Sequence, residues 1–213
     1  MPHLLHLDAS IRTSGSVSRE LSGAFAQHWR AAHPDAGYTY RDLAAHPVPH
    51  LDEASYVAAT TPAEEHTPAQ RAGWAVSTTL IDEVAAADTV LLGVPMYNFS
   101  IPSTLKAWLD RIITPGTSYD AATGTGRLAG KRVVVAASRG GSYQPGTPRE
   151  SFEFQERYLT KVLSSVGLHE DLTWVTAELT LANVVPALAQ FKDVAAESLE
   201  NAHAAVRGLA RAA

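Results

Sequence analysis

The sequence predicts a doubly wound α/β fold in which five parallel strands lie in the order 2-1-3-4-5 with helices on both faces. Short apolar runs, typical of buried strands, alternate along the chain with longer segments in which apolar residues recur at helical spacing. This alternation favours a parallel sheet, because neighbouring parallel strands are joined by right-handed crossover helices. The length of 213 residues suits one α/β domain with extended loops, so we expect a single domain over residues 1–213.

Apolar side chains mark the individual elements. The predicted strands cover residues 4–8, 38–43, 88–94, 131–137 and 172–177. The predicted helices cover residues 17–29, 68–86, 102–112, 152–166 and 184–210. In the first helix Val17, Leu21 and Phe25 are spaced four residues apart and share one face. Residues 44–67 and 114–130 fit neither period, and we expect both passages to be loops.

Composition narrows the chemistry that the chain can perform. The 17 basic and 22 acidic side chains give a net charge of −5, which argues against a nucleic-acid-binding surface. The chain has no cysteine, so thiol catalysis, disulfides and cysteine-based metal sites are excluded. Its 9 histidines are scattered, and we assign no metal. Redox chemistry would therefore need a bound cofactor.

Neither a membrane-spanning apolar run nor a secretory leader is recognisable in the sequence. We therefore expect a cytoplasmic protein that has no membrane partner and acts on small molecules.

In a sheet of this order, ligands bind where the strands end, near the switch between strands 1 and 3. The loop over residues 9–17 is rich in hydroxyl groups and leads into a helix N-terminus, where free amides and the helix dipole favour an anion. Ser16 is the expected N-cap, and Arg19 stands where a capping box would have glutamate. The loop suits a phosphate, with an ordinary serine-capped turn as the alternative.

The loop over residues 95–101 suits a flat aromatic ligand. It places Met96, Tyr97 and Phe99 at a strand end, outside the periodic pattern of the core. Asn98 can both donate and accept hydrogen bonds at the edge of such a ring. The alternative interpretation is a hydrophobic plug over the end of the sheet, above all for Phe99.

The loop over residues 138–146 contains Gly140 and Gly141, which would let the backbone approach a ligand closely. A tight turn is the commoner use of such a pair. Taken together, the three loops fit FMN, with its phosphate at the first loop and its isoalloxazine between the other two. The sequence has neither G-x-G-x-x-G nor G-x-x-x-x-G-K-[ST], which disfavours a dinucleotide fingerprint and a P-loop.

At these residues the sequence resembles the FMN-dependent NADH azoreductase and NAD(P)H:quinone oxidoreductase family, whose fold is flavodoxin-like. The runs Pro-Met-Tyr-Asn-Phe at 95–99 and Ser-Arg-Gly-Gly at 138–141 carry the resemblance, together with the serines of the first loop. The resemblance implies bound FMN, NADH or NADPH as co-substrate, and ping-pong transfer of two electrons to a quinone or azo compound. It also implies a homodimer with active sites at the subunit interface.

The resemblance assigns cofactor residues one by one. Those of the phosphate loop are Ser10, Ser16, Val17 and Ser18; those of the flavin wall are Pro95, Met96, Tyr97, Asn98 and Phe99; those of the flavin edge are Ser138, Arg139, Gly140 and Gly141. Phe99, Tyr119 and Tyr143 are expected in the substrate pocket, where Tyr119 and Tyr143 depart from residues that are common in the family. No catalytic residue is obligatory, although Asn98 and Tyr143 are candidates. The alternative function is a flavodoxin-type electron carrier that serves a protein partner.

Overall fold

Five parallel strands form the sheet that the sequence predicts. The computed structural model describes residues 1–211, and its strands pair in the order β2-β1-β3-β4-β5. All neighbouring strands are parallel, so the predicted order and direction are confirmed. The strands are β1 His3–Asp8, β2 Gly37–Asp42, β3 Thr89–Pro95, β4 Arg132–Ser138 and β5 Asp171–Ala177.

Helices cover both faces of the sheet. They are α1 Val17–Ala32, α2 Glu53–Ala58, α3 Pro68–Ala86, α4 Ser103–Ile112, α5 Glu156–Ser165 and α6 Lys192–Arg211. Short 3₁₀ segments lie in the connections at Ala63–Glu65, Glu150–Phe152 and Pro186–Phe191. Within residues 1–211, no helix is both long enough and apolar enough to traverse a bilayer.

The prediction of a continuous loop over residues 44–67 is wrong, because this passage contains α2 and a 3₁₀ segment. A helix as short as α2 does not show a helical period in the sequence. It is stabilised locally by its cap, in which the Asp52 carboxylate accepts a hydrogen bond from the Ser55 amide at 2.8 Å. The passage over residues 114–130 is a loop, as predicted.

Two predicted helices begin too early. The helix expected from residue 152 begins at Glu156, because residues 150–152 form a 3₁₀ segment. The Glu153 carboxylate accepts hydrogen bonds from the backbone amides of Gln155 and Glu156 at 2.9 and 2.8 Å. These amides at the start of α5 have no acceptor within the helix, so Glu153 provides one. The last helix begins at Lys192 rather than at residue 184, after the 3₁₀ segment that Pro186 starts.

The core lies on both faces of the sheet, since successive side chains of a strand point to opposite sides. On β3, Val90 packs with α3, α4 and α5, whereas its neighbour Leu91 packs with α1 and α6. Trp108 and Trp29 are the largest buried side chains of the two faces. Every residue of β3 is buried, as expected for a parallel strand that is covered on both sides.

The direction of two connections determines where a ligand can enter. Strands β1 and β3 are neighbours, but α1, which follows β1, packs on one face and α4, which follows β3, packs on the other. The chain therefore diverges at the carboxyl ends of these strands, and the divergence leaves a crevice there.

A buried carboxylate lies beneath this crevice. Asp8, the last residue of β1, is 4% exposed and accepts a hydrogen bond from the Ser22 hydroxyl at 2.7 Å. Its partner in the register of β3 is Gly93. A Cβ atom on Gly93 would lie 2.2 Å from Asp8 Oδ1 and 2.8 Å from Ser22 Oγ. Glycine is therefore required at this position in the middle of the sheet.

We predict that Gly93→Ala lowers the free energy of unfolding by about 1–3 kcal/mol or more, because the added methyl group displaces the Asp8 carboxylate. Gly23→Ala is the matched control, since a Cβ atom there meets no atom within 4 Å and the residue lies inside α1. The control should gain about 0.5–1 kcal/mol, and urea unfolding measures both variants. A G93A variant as stable as the wild type would contradict the packing described here.

Candidate functional site

Ser10 ties the loop after β1 to the loop after β3. Its hydroxyl lies 3.1 Å from the Tyr97 hydroxyl and accepts a hydrogen bond from the Arg12 amide at 3.2 Å. The Ile11 amide also donates to the Tyr97 hydroxyl, at 3.2 Å. Ser10 is 1% exposed, so these contacts fix the start of the serine-rich loop.

The serine-rich loop ends at the N-terminus of α1. Gly15 has φ +61°, and Ser16 after it is the N-cap, as predicted, although its side chain makes no capping hydrogen bond within residues 1–211. Its hydroxyl lies 3.3 Å from the Ser18 hydroxyl instead. The first amides of a helix have no intrahelical acceptor and carry the positive end of the helix dipole. The Ser16 hydroxyl, which lines the cavity, and these amides together form a donor set for an anion.

Two consecutive residues with positive φ form a tight turn in the loop after β3. Tyr97 and Ser100 exchange backbone hydrogen bonds of 2.9 and 3.0 Å, and between them Asn98 and Phe99 have φ +47° and +71°. Asn–Gly usually occupies such a turn, and a bulky residue in its second position is strained. Phe99 is 41% exposed, so its ring does not form the hydrophobic plug that was the alternative interpretation. Backbone strain of this kind occurs mostly at ligand sites.

The loop after β4 is held in place by the residues that follow β5. The amide and the hydroxyl of Thr180 both donate to the Arg139 carbonyl at 3.1 Å, and the Leu181 amide donates to the Gly140 carbonyl at 3.3 Å. The Leu181 side chain also covers Gly140, where a Cβ atom would lie 2.7 Å from Leu181 Cδ1. Gly140 therefore lets the β4 and β5 loops pack closely.

These loops enclose a cavity of about 200 Å³ at the carboxyl edge of the sheet. Eight of the predicted cofactor residues line it: Ser10, Ser16, Val17, Pro95, Met96, Tyr97, Ser138 and Gly140. Four further residues line it that were not assigned to the cofactor: Arg12, for which the sequence left a phosphate contact or a solvated loop position open, and Gly15, Thr180 and Leu181. No carboxylate from residues 1–211 lines the cavity. One end offers hydroxyl and amide donors for an anion, and Met96 and Tyr97 form an apolar wall.

A larger cavity of about 600 Å³ lies on the other side of Tyr97. Asn98, predicted at the cofactor, lines this cavity together with Ile101 and Lys106. The two cavities share Tyr97, so a ligand that is longer than the smaller cavity can extend along this ring.

Arg139 lies behind the site rather than in it. Its guanidinium is 2% exposed and pairs with Glu178 at 3.3 Å, Glu153 at 3.3 Å and Glu156 at 3.0 Å. Its Nε donates to the Gln155 side chain at 3.0 Å, and that side chain in turn donates to the carbonyl of Val94 at 3.0 Å. The Arg139 side chain thus joins the ends of β3, β4 and β5 to the start of α5 and, within residues 1–211, is not among those that line the serine-loop cavity, while its assignment to the cofactor stays a prediction.

The remaining predicted residues lie around the cavity. Ser18 is in the first turn of α1, and Gly141 lies against Tyr143, where its Cβ atom would be 3.5 Å from the ring. The Tyr143 ring packs edge-on against Phe99 with a centroid distance of 6.4 Å and is 7% exposed. Tyr119 is in a different place, since it lines a separate cavity of about 230 Å³ with Leu51. Within residues 1–211, the structure does not bring Tyr119 to the lining of the serine-loop cavity.

The chemistry of the site is that of a binding cradle. Within the described part of the chain, no group of three histidine, aspartate or glutamate side chains is arranged to hold a metal ion. The cavity instead combines a helix N-terminus, serine hydroxyls, an arginine and aromatic surface. This combination suits a ligand that has an anionic end and a flat, largely apolar body.

The chain is similar to known proteins over nearly its whole length. A protein family whose model is described as flavodoxin-like fold matches residues 2–202. A protein of Frankia alni named FMN-dependent NADH:quinone oxidoreductase is 48% identical over 212 residues, and the match covers 100% of this chain and 100% of that protein.

Two solved structures have the same fold. An azoreductase from Bacillus anthracis str. Sterne has a TM-score of 0.87 at 22% identity and covers 100% of both chains. An FMN-dependent NADH-azoreductase from Bacillus anthracis str. Ames Ancestor, in complex with FMN, has a TM-score of 0.81 at 24% identity, covering 99% of this chain and 98% of that one. At these identities the likeness establishes the fold alone.

We predict that Arg139→Met lowers the free energy of unfolding by about 3–5 kcal/mol, because it leaves buried carboxylates without their cation. Arg127→Met is the matched control, since Arg127 pairs with Asp120 at 2.9 Å on the surface, where an ion pair contributes about 0–1 kcal/mol. Urea unfolding of both variants measures the difference. Equal and small losses would show that the Arg139 cluster does not support the loops.

Proposed function

The chain belongs to the family described as flavodoxin-like fold, and we propose that it is an FMN-dependent NAD(P)H oxidoreductase that passes two electrons to quinones or azo compounds. The observation that carries the proposal is the convergence of the loops after β1, β3 and β4 on a carboxylate-free cavity at the N-terminus of α1. The 48% identical relative, with an FMN-dependent name and full coverage, supports the same cofactor.

The residues of the cavity fit FMN in their donor chemistry. The phosphate requires several N–H and O–H donors and an absence of competing carboxylates, which the first turn of α1, Ser10 and Ser16 provide. The isoalloxazine requires flat apolar surface, which Met96 and Tyr97 provide. Arg12 lines the same cavity and adds a positive charge near the phosphate end.

Bound FMN would supply the two-electron hydride chemistry that the side chains of a cysteine-free chain cannot. The protein's own contribution is binding and orientation. Tyr97 holds the β3 loop against Ser10, and the strained turn at Asn98 and Phe99 fixes the wall beside it. We assign the amides of Gly140 and Gly141 to the polar edge of the flavin, where they would stabilise negative charge on the reduced ring. We assign no obligatory acid or base.

The electron-carrier alternative is not supported. The similar proteins are named as oxidoreductases that use NADH and a quinone: the Frankia alni relative at 48% identity, and others at 43% identity or more over most of their length. An enzyme of this kind needs a pocket open to small molecules, and the cavity beside Tyr97, of about 600 Å³, offers such space.

We also propose that the chain forms a homodimer with the substrate pocket at the interface. Phe99, Phe152 and Phe154 are 41%, 46% and 52% exposed on the surface beside the site, and such an aromatic patch suits a protein interface. Tyr119, which within the described chain does not line the serine-loop cavity, is then assigned to the partner's pocket. Because NAD(P)H is the co-substrate, the proposal assigns the reaction to the cytoplasm.

Steady-state kinetics test the proposed reaction. We expect the FMN-loaded protein to oxidise NADH or NADPH in the presence of a benzoquinone or an azo dye. Double-reciprocal plots of initial rate against nicotinamide concentration, at several fixed acceptor concentrations, should give parallel lines. Parallel lines are expected because donor and acceptor would use one site in turn. Intersecting lines would contradict the shared site, and a protein that binds FMN but oxidises neither nicotinamide would contradict the oxidoreductase.

Ser16→Asp tests the position of the phosphate. We predict weaker FMN binding, by about tenfold or more, because the new carboxylate repels the phosphate from the helix N-terminus. The same change should leave thermal stability without FMN unchanged or slightly raised, since aspartate is as good an N-cap as serine and its charge favours the helix N-terminus. Fluorescence titration with FMN and thermal unfolding measure the two effects.

Ser14→Asp is the matched control for this experiment. Ser14 is an exposed residue of the same loop and is not among the residues that line the cavity, within the described chain. The Ser14→Asp variant adds the same charge two residues before Ser16. It should change FMN affinity by less than about threefold, because solvent screens exposed charges. Equal losses of FMN affinity in both variants would show that the phosphate does not lie at Ser16.

A further inference from the structure

The Arg19 side chain joins the serine-rich loop to the end of β2. Its guanidinium donates to both carboxylate oxygens of Asp42 at 2.7 and 2.8 Å and to the carbonyl oxygen of Ser10 at 2.7 Å. It also donates to the Tyr40 hydroxyl at 3.2 Å. The side chain is 14% exposed, so its contacts with Asp42 and Ser10 are partly protected from water.

Two carboxylates meet at this guanidinium. Asp8 lies 3.5 Å from Arg19 Nη1 and its side chain is 5% exposed, and Asp42 forms the bidentate pair. The hydrogen bond from Arg19 lowers the pKa of Asp42 to about 2. The same bond raises the pKa of Arg19 above its ordinary value. Arg19 and Asp42 therefore both remain charged at neutral pH, with the cation between the carboxylates and the loop.

Arg19 holds both ends of the loop that we assign to the phosphate. It is the third residue of α1, so its backbone belongs to the helix N-terminus, and its side chain fixes the carbonyl of Ser10 at the opposite end of the loop. The hydroxyl of Ser10 is in turn fixed by Tyr97 and the Arg12 amide. One side chain thus sets the distance between Ser10 and the first turn of α1.

We propose that Arg19 is the positioning residue that makes the site prefer phosphorylated flavin over riboflavin. It holds the Ser10 and Ser16 ends of the loop at a fixed separation, and it shields the phosphate from the negative charge of Asp8 and Asp42. Arg19 does not bind the ligand itself, because its side chain is bonded to protein acceptors and it is absent, among the described residues, from the cavity lining. This inference rests on the proposed FMN site.

The ratio of two affinities tests this role. Full-length protein freed of flavin is titrated with FMN and with riboflavin, and flavin fluorescence reports each Kd. For Arg19→Met we expect FMN affinity to fall by about tenfold or more, as for the loss of a charge-assisted hydrogen bond. Riboflavin affinity should change by less than about twofold, since riboflavin has no phosphate. A general loss of folding would weaken both ligands equally.

Arg41→Met is the matched control. Arg41 lies on the same strand as Asp42 and forms a comparable two-point ion pair with Glu83, but its hydrogen bonds go to that carboxylate and not to the serine-rich loop. This variant should keep the wild-type ratio of FMN to riboflavin affinity. Arg19→Met combined with Asp42→Asn should recover part of the lost FMN affinity, because it removes one of the carboxylate charges.

Arg19→Lys keeps the experiment decisive if Arg19→Met does not fold. Lysine retains the charge but cannot both form a planar two-point pair with Asp42 and reach the Ser10 carbonyl. We therefore expect the ratio of FMN to riboflavin affinity to be about threefold lower than in the wild type. An unchanged ratio of FMN to riboflavin affinity in a folded Arg19 variant overturns this inference and leaves the proposed function standing. A wild-type protein that binds neither flavin overturns the proposed function, and this inference with it.

Discussion

Because all five strands run parallel, the segments that follow β1, β3, β4 and β5 leave the sheet at one edge, and the site depends on that alignment. The crevice arises because α1 and α4 pack on opposite faces after leaving neighbouring strands. A helix N-terminus, an aromatic wall and a glycine loop therefore converge without any long excursion of the chain. The loops after β1, β3 and β4 are anchored by hydrogen bonds, so their donors are held in place before a ligand arrives.

Two arginines secure this edge from opposite sides of the cavity. Arg19 joins the ends of β1 and β2 to the start of α1, and Arg139 joins the ends of β3, β4 and β5 to the start of α5. Removing such charges from water is costly, and the cost is offset only where hydrogen bonds are nearly saturated. Every nitrogen of the Arg139 guanidinium has an acceptor, and both terminal nitrogens of Arg19 donate to protein oxygens, although Arg19 Nε has no partner among the described residues. These bonds fix the positions of the loops that they join.

The sequence predicted the sheet well because buried strands and amphipathic helices have clear periods. It also indicated Ser16, Tyr97 and Gly140 as lining residues, since serine, aromatic and glycine clusters stand out at strand ends. It could not predict Thr180 and Leu181, because the segment after β5 has ordinary composition and its role depends on hydrogen bonds to the β4 loop.

Other features depend on contacts that no local sequence pattern reveals. Arg139 stands in a motif that the resemblance assigns to the cofactor, but the three carboxylates that orient its side chain are 14, 17 and 39 residues away in sequence, and no local pattern reveals them. The six-residue helix α2 depends on its Asp52 cap rather than on periodicity. The positive φ of Phe99 could not be predicted either, because turns of this kind are normally recognised in a sequence by a glycine.

A crystal structure of the FMN-loaded protein shows directly whether a helix end and three strand loops hold one phosphorylated flavin. We expect the phosphate within hydrogen-bonding distance of the Val17 and Ser18 amides, with the ring system lying along Tyr97. A phosphate bound away from α1, or a ring system that lies outside the crevice between the β1 and β3 loops, would contradict this expectation.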